Sequence, residues 1–195
     1  EVFSFFLKSP LIAVAMSCFS AYSVIDAHFA PLLGEANLSY LGYSQRILIG
    51  LGSLIITGPS AILVPHFARM VAGGQMDEFR RETYRTLFIV FILSFPIAIL
   101  GYIFSKPLVS ILFMRGAFDV RAVLGVAEVF SIMIIGMIPM LCVVILFRIF
   151  YCLDARVPQA ISGLSWCALY YIGSMVGSLK LSITGIAYSY VGSWF

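Results

Sequence analysis

The chain alternates long apolar runs with short polar or charged stretches. Six runs stand out, at 9–33, 41–67, 87–104, 123–150, 157–179 and 183–195. A membrane-spanning helix needs about 20 mostly apolar residues, because each residue rises about 1.5 Å across roughly 30 Å of hydrocarbon. Most of the runs have that length, and the sixth reads as a truncated one. Porin-type barrels show instead segments of about 10 residues with alternating polarity. The expected fold is therefore all-α, a polytopic integral membrane bundle of about six transmembrane helices. The connecting stretches at 34–40, 69–86, 105–121 and 154–156, with a tight turn at Lys180, leave no room for a soluble domain. The whole chain, 1–195, reads as a single helical lobe. It starts at Glu1 and stops at Phe195 within an apolar stretch, and both ends are expected to be cut from a longer protein.

Composition agrees with the pattern. The chain is 62% hydrophobic and 11% charged, with a mean hydropathy of +1.05, so lipid must be its solvent. The net charge of +3 comes from 12 basic and 9 acidic residues. Most of them lie between the runs, where they carry topology information and not a nucleic-acid footprint. With alternating helices, one side receives Lys8, Arg69, Arg80, Arg81, Arg85, Arg148 and Arg156; the other receives Lys106, Arg115, Arg121, Lys180 and Arg46. The richer side is expected to be cytoplasmic, which places 69–86 and 154–156 inside. In 69–86, Gly73 and Gly74 punctuate a helix end, and Asp77, Glu78, Arg81, Glu82 and Arg85 have spacings for i, i+3 and i, i+4 pairs. An interfacial helix feeding the third span is expected there.

Cys18, Cys142, Cys152 and Cys167 lack any Cys-x-x-Cys spacing and read as small packing residues. Two histidines, no His-Glu-x-x-His, no Gly-rich phosphate loop and no Ser/His/Asp arrangement argue against an enzyme, a metal site or a cofactor. Pro59, Pro65, Pro96 and Pro139 fall in or near spans. They either bend helices around a cavity or reflect the general tolerance of membrane helices for proline.

Ionisable residues in apolar runs cost roughly 2.5–3.5 kcal/mol on insertion scales and call for a partner or a hydrated cavity. Asp26, Arg46 and Glu128 are the cases here. In the second run, Arg46, Gly50, Ser53, Thr57 and Ser60 recur at helical spacing, giving one small, polar face headed by a guanidinium. That face fits a hydrated groove able to accept a phosphate, or a close helix–helix contact with Arg46 snorkelling to the interface. Asp26 is expected to pair with Arg46, or else to bind a cation or carry a proton. His28 points elsewhere and reads as interfacial. Glu128 is two turns from Arg121 and reads as near the interface. Gly173 and Gly177 form a Gly-x-x-x-Gly pair suited to close packing.

At Leu41-Gly42-Tyr43-Ser44-Gln45-Arg46-Ile47 the chain resembles the MurJ/MviN lipid II flippase family, whose eighth helix begins with a similar Tyr-Ala-x-Arg-Leu string. Gly58-Pro59-Ser60-Ala61-Ile62-Leu63-Val64-Pro65-His66-Phe67-Ala68-Arg69 is similar to the end of that helix. Leu112-Phe113-Met114-Arg115-Gly116-Ala117-Phe118 is similar to the family's Leu-Phe-x-Arg-Gly-x-Phe string after the ninth. Phe150-Tyr151-Cys152-Leu153-Asp154-Ala155-Arg156-Val157-Pro158 is similar to its Phe-Tyr-Ala-x-x-Asp-Thr-x-Thr-Pro turn after the tenth, with Ala155-Arg156-Val157 in place of Thr-x-Thr.

The resemblance covers nearly the whole chain and implies helices seven to twelve of a 14-helix exporter of the bacterial inner membrane. It implies a role in peptidoglycan synthesis, and so in cell-wall biogenesis and cell shape. The substrate would be a lipid-linked oligosaccharide, lipid II, moved between leaflets by alternating access. Arg46 matches the family's cavity arginine, with Ser53 and Thr57 as further substrate-binding positions; Glu128 and Arg115 are structural or cavity candidates. Some members hold sodium with residues of the seventh, eleventh and twelfth helices. Asp26 and Ser189 match the first and last of these, but the eleventh-helix positions fall at Leu169 and Gly173, which offer no side-chain oxygen. Competing readings are another exporter of the same superfamily, for an O-antigen-type lipid or for drugs and cations, and a non-transporting membrane scaffold.

Overall fold

The computed structural model describes residues 17–18, 20–114 and 118–195, and of residues 58–62 the backbone alone. Lys8, Arg115 and the side chains of Pro59 and Ser60 lie outside the described residues. The described residues are helical almost throughout and contain no strand.

Helix α1 (Tyr22–Phe29) runs into a 3-10 turn (Pro31–Leu33), and Gly34, at φ 142°, lets the chain reverse. Helix α2 (Asn37–Ala72) is the second run. It stops at Gly73 and Gly74, where the N–H of Gly73 donates to the Arg69 carbonyl at 2.9 Å and Gly74 takes φ 70°. Only glycine adopts that left-handed conformation cheaply. Helix α3 (Met76–Ile103) begins with Asp77 and Glu78 in its first turn, where the dipole favours acids. Arg81–Glu78 at 3.8 Å and Arg85–Glu82 at 3.6 Å are the expected i, i+3 pairs. No separate interfacial helix forms, because α3 is continuous from those pairs through Pro96 into the third span.

The 105–121 connector is mostly helix. After a break at Phe104, α4 (Ser105–Phe113) begins with Pro107 in its first turn, a position that needs no N–H. It folds back along α5 (Val120–Met133), which is capped by Asp119 accepting from the Ala122 N–H at 2.9 Å. The fourth run is two helices, not one. A 3-10 turn (Ile134–Gly136) separates α5 from α6 (Met137–Cys152), just where Pro139 deprives the Ile135 carbonyl of its partner.

Helix α7 (Arg156–Ser193) contains the reversal expected near Lys180. Ser182, at φ 59°, folds the last three or so turns back on the first limb. The Gly-x-x-x-Gly pair lies on the facing surface, with Gly173 against Ser189 and Gly177 against Gly185. A Cβ on Gly177 would sit 2.6 Å from the Gly185 carbonyl oxygen. Gly177→Leu is therefore expected to destabilise the intact protein by at least about 1–3 kcal/mol, read as a lower melting temperature in detergent, whereas Leu179→Ala, at 83% exposed, should leave it unchanged.

The core lies between α2 and α5. Leu41, Ser44 and Leu48 of α2 meet a face of α5 carrying Val126, Val129, Phe130 and Met133, all buried. The Ser44 hydroxyl lies 2.7 Å from the Tyr40 carbonyl of its own helix and 3.1 Å from the Val126 carbonyl of α5, so its single hydrogen is shared between them, and Gly125 leaves space for the Tyr40 ring. Lipid supplies no hydrophobic drive between helices, so close packing and such interhelical hydrogen bonds hold the bundle together. Phe88, Ile92, Phe95 and Ile99 form an exposed apolar face on α3, the surface a lipid solvent requires.

The α3 helix, the joined stretch Val120–Cys152 and α7 are long and apolar enough to cross a membrane. Their charges fall on two levels. Uncharged stretches at 86–105, 129–147 and 157–179 are bounded by Arg85 and Lys106, Glu128 and Arg148, and Arg156 and Lys180. Each stretch is about 20 residues, or roughly 30 Å of helix. Lys106, Glu128 and Lys180 thus share one edge of the hydrocarbon; Arg85, Arg148 and Arg156 share the other. On the Lys/Arg bias the second edge is expected to be the cytoplasmic one. A single cysteine at position 77, with the native four replaced, is expected to react with membrane-impermeant maleimide only from the cytoplasmic side of intact cells. Labelling from outside alone would invert the topology.

Candidate functional site

Helix α2 has two faces of opposite character. Leu41, Ser44, Gln45, Leu48, Gly52, Ile55 and Ile56 point into the bundle. Arg46, Gly50, Ser53 and Thr57 all lie on the exposed face, so no described helix packs on the polar stripe. Gly50 has nothing within 4 Å of a notional Cβ, and the Ser53 hydroxyl donates to the Gly50 carbonyl at 2.7 Å. With its hydrogen satisfied locally, Ser53 presents free lone pairs to whatever occupies the face.

Arg46 does not pair with Asp26. Its guanidinium lies over the Tyr43 ring, 5.5 Å from the centroid, a cation–π contact of about 0.5–1 kcal/mol at an exposed site. Tyr43 is held in turn by Phe113, 4.9 Å away, and Phe118, 5.2 Å away. The aromatic residues of the Leu112–Phe118 string therefore support the residue that orients Arg46.

Asp26 is 2% exposed. One carboxylate oxygen accepts from Gln45 Nε2 at 2.7 Å, and the other accepts from the Tyr170 hydroxyl. The Asp26–Arg46 ion pair expected from sequence is thus replaced by two neutral donors. The reason is rotational: one residue along α2 turns the side chain by about 100°, so Gln45 faces inward and Arg46 outward. Asp26 consequently links α1, α2 and the first limb of α7. Tyr170 packs edge-on against Tyr190 of the second limb at 5.8 Å.

Both Asp26 oxygens are engaged by hydrogen-bond donors, Leu169 is exposed, and Gly173 brings no oxygen. The Ser189 hydroxyl donates to the Gly185 carbonyl at 2.7 Å. Among the described residues no group of three His, Cys, Asp or Glu side chains could hold a metal.

His28 is exposed and stacks edge-on with Phe29. Glu128 is exposed and lines a cleft beside Lys106. Gln45, Tyr43 and Tyr170 escape a sequence reading. The available signals were a glutamine on the inward face of an apolar helix and aromatics common in any membrane segment.

The described residues form a helical membrane bundle in which one polar helix face is left exposed. A transporter of the MOP superfamily from Pyrococcus furiosus has the same fold over 96% of this chain and 41% of its own, with a TM-score of 0.79 at 17% identity. The sequence model described as Lipid II flippase MurJ matches residues 2–195, and the chain belongs to that family. It is 26% identical over 150 residues to a probable lipid II flippase MurJ of Bdellovibrio bacteriovorus, covering 76% of this chain and 29% of the relative. With the corresponding protein of Buchnera aphidicola subsp. Schizaphis graminum it shares 30% over 148 residues, covering 75% and 29%. The chain thus spans about three tenths of the length of these relatives. The family comprises non-enzymatic, multi-pass transporters of the bacterial inner membrane.

Proposed function

We infer that the intact protein is a lipid II flippase, that this chain forms one lobe of it, and that the outward face of α2 is a wall of its substrate cavity. The observation that carries this reading is the orientation of the stripe. Arg46, Gly50, Ser53 and Thr57 face away from the core on a helix whose other side is fully packed. A second lobe set against that face would enclose a groove with a cation at one end and small hydroxylic residues below it.

The chemistry suits an amphipathic anion. A guanidinium offers a planar fork that matches two phosphate oxygens. Gly50 leaves room for the pyrophosphate to approach the backbone, and Ser53 and Thr57 supply hydroxyl groups for sugar contacts. Alternating access then needs the two lobes to rock about this groove, each lobe moving as a packed unit. The network of Asp26, Gln45 and Tyr170 ties the helices of this lobe together.

Full-length protein expressed in cells depleted of their own flippase is expected to restore growth and move lipid II to the outer leaflet. If it accumulates in the membrane at normal abundance while lipid II stays in the cytoplasmic leaflet, the reading fails.

A further inference from the structure

A cleft of about 320 Å³ opens between the start of α4 and the middle of α5, away from the α2 stripe. Ser105, Lys106, Leu124, Ala127, Glu128 and Ser131 line it. Its size is at the lower end of the range of small-ligand sites, about 300–1,000 Å³.

Lys106 and Glu128 face one cleft without forming an ion pair. The ion pairs among the described residues are Arg81–Glu78, Arg85–Glu82 and Arg156–Asp154. Both charges also mark the same edge of the hydrocarbon, since each caps an uncharged stretch of about 20 residues. The cleft therefore lies at the depth of phospholipid headgroups.

The two ends differ chemically. At one end, Lys106 stands in the first turn of α4, a helix start with no side-chain cap and with Pro107 in its first turn. Its ammonium favours a phosphate there. At the other end is the Glu128 carboxylate. Beside it, the Ser131 hydroxyl donates to the Glu128 carbonyl at 2.7 Å, so its outward capacity is as an acceptor. A carboxylate and a hydroxyl oxygen together suit a group with several N–H donors. The side chain of Leu124, 47% exposed, forms an apolar wall.

We propose that this cleft binds the headgroup of a zwitterionic aminophospholipid of the phosphatidylethanolamine class. The phosphate sits at Lys106, and the primary ammonium sits at Glu128 and Ser131. A quaternary choline has no N–H to donate, and an anionic glycerol headgroup has no cation for Glu128. The site is thus selective for the primary amine. It is independent of the substrate reading, because it lies on other helices and requires only that the chain cross a bilayer at these levels.

The test is native mass spectrometry of the full-length protein in detergent, titrated separately with dioleoyl phosphatidylethanolamine, phosphatidylcholine and phosphatidylglycerol. Wild type is expected to retain phosphatidylethanolamine about tenfold better than the other two, as befits charge-assisted hydrogen bonds. Glu128→Gln is expected to erase that preference, and Lys106→Met to weaken retention of all three. Glu128→Asp keeps the carboxylate and should keep the preference, and melting temperatures equal to wild type would show that each variant is folded. Equal retention of the three lipids by wild type would overturn the proposal. So would a folded Glu128→Gln protein that still prefers phosphatidylethanolamine. Preference for phosphatidylglycerol would overturn it in favour of a simple cationic site.

Discussion

Arg46→Ala is expected to abolish complementation in flippase-depleted cells at normal protein abundance, and Arg46→Lys to leave a partial activity. A lipid pyrophosphate carries its charges into a cleft from which much of the water is excluded. Loss of a charged contact there costs on the order of 2–5 kcal/mol, against under about 1 kcal/mol for an exposed arginine with no substrate role. Lysine keeps the charge but loses the planar fork and the stacking on Tyr43. Arg46 makes no ion pair among the described residues and lies outside the core, so its removal should lower the melting temperature by no more than loss of the Tyr43 contact, about 0.5–1 kcal/mol, would. Tyr43→Leu is expected to reproduce the Arg46→Lys defect in weaker form. Normal growth and normal lipid II translocation with Arg46→Ala would return this residue to the role of an interfacial anchor.

Asp26 is expected to separate structure from charge. In Asp26→Leu, the Gln45 amide and the Tyr170 hydroxyl both stay buried without their acceptor. Each orphaned group costs about 1–3 kcal/mol, so this variant should show a clear fall in melting temperature. Asp26→Asn has nearly the same shape. Its amide can keep both neighbours bonded once the Gln45 amide turns over, because each amide offers a donor and an acceptor. The Asn variant should therefore fold as wild type while losing the charge. A transport defect confined to Asp26→Asn at unchanged stability would assign the carboxylate to coupling. Replacing sodium with potassium is expected to leave translocation unchanged, since the Asp26 oxygens are taken by hydrogen-bond donors. Loss of flipping without sodium, with Asp26→Asn behaving as wild type, would refute this assignment.

Much of the fold was legible in advance because a bilayer imposes few options. A chain in hydrocarbon must satisfy its backbone internally, so the long apolar runs are helical where they are described, the fourth interrupted by a 3-10 turn. Gly73 and Gly74 terminate α2, the Gly173/Gly177 pair packs closely, and the chain reverses near Lys180, all as the local chemistry requires. The helical spacing of Arg46, Gly50, Ser53 and Thr57 is enough to place them on one face. What local patterns could not give was the partner of each polar group. Pairing Asp26 with Arg46 was the natural choice on charge alone, yet the phase of α2 turned Gln45 toward the carboxylate instead.

The division has a physical basis. Sequence alone determined the solvent, the helical class, the approximate spans and the shared face of the polar stripe, because these follow from hydropathy summed over many residues and from the fixed geometry of a helix. Only the tertiary structure decided which way that face points, that Tyr170 comes from 144 residues away to meet Asp26, that Phe113 and Phe118 brace Tyr43, and that Lys106 and Glu128 open on one cleft. Those outcomes depend on the rotation and mutual packing of whole helices. A turn of one residue, about 100°, exchanges a buried partner for an exposed one without altering the hydropathy of the segment.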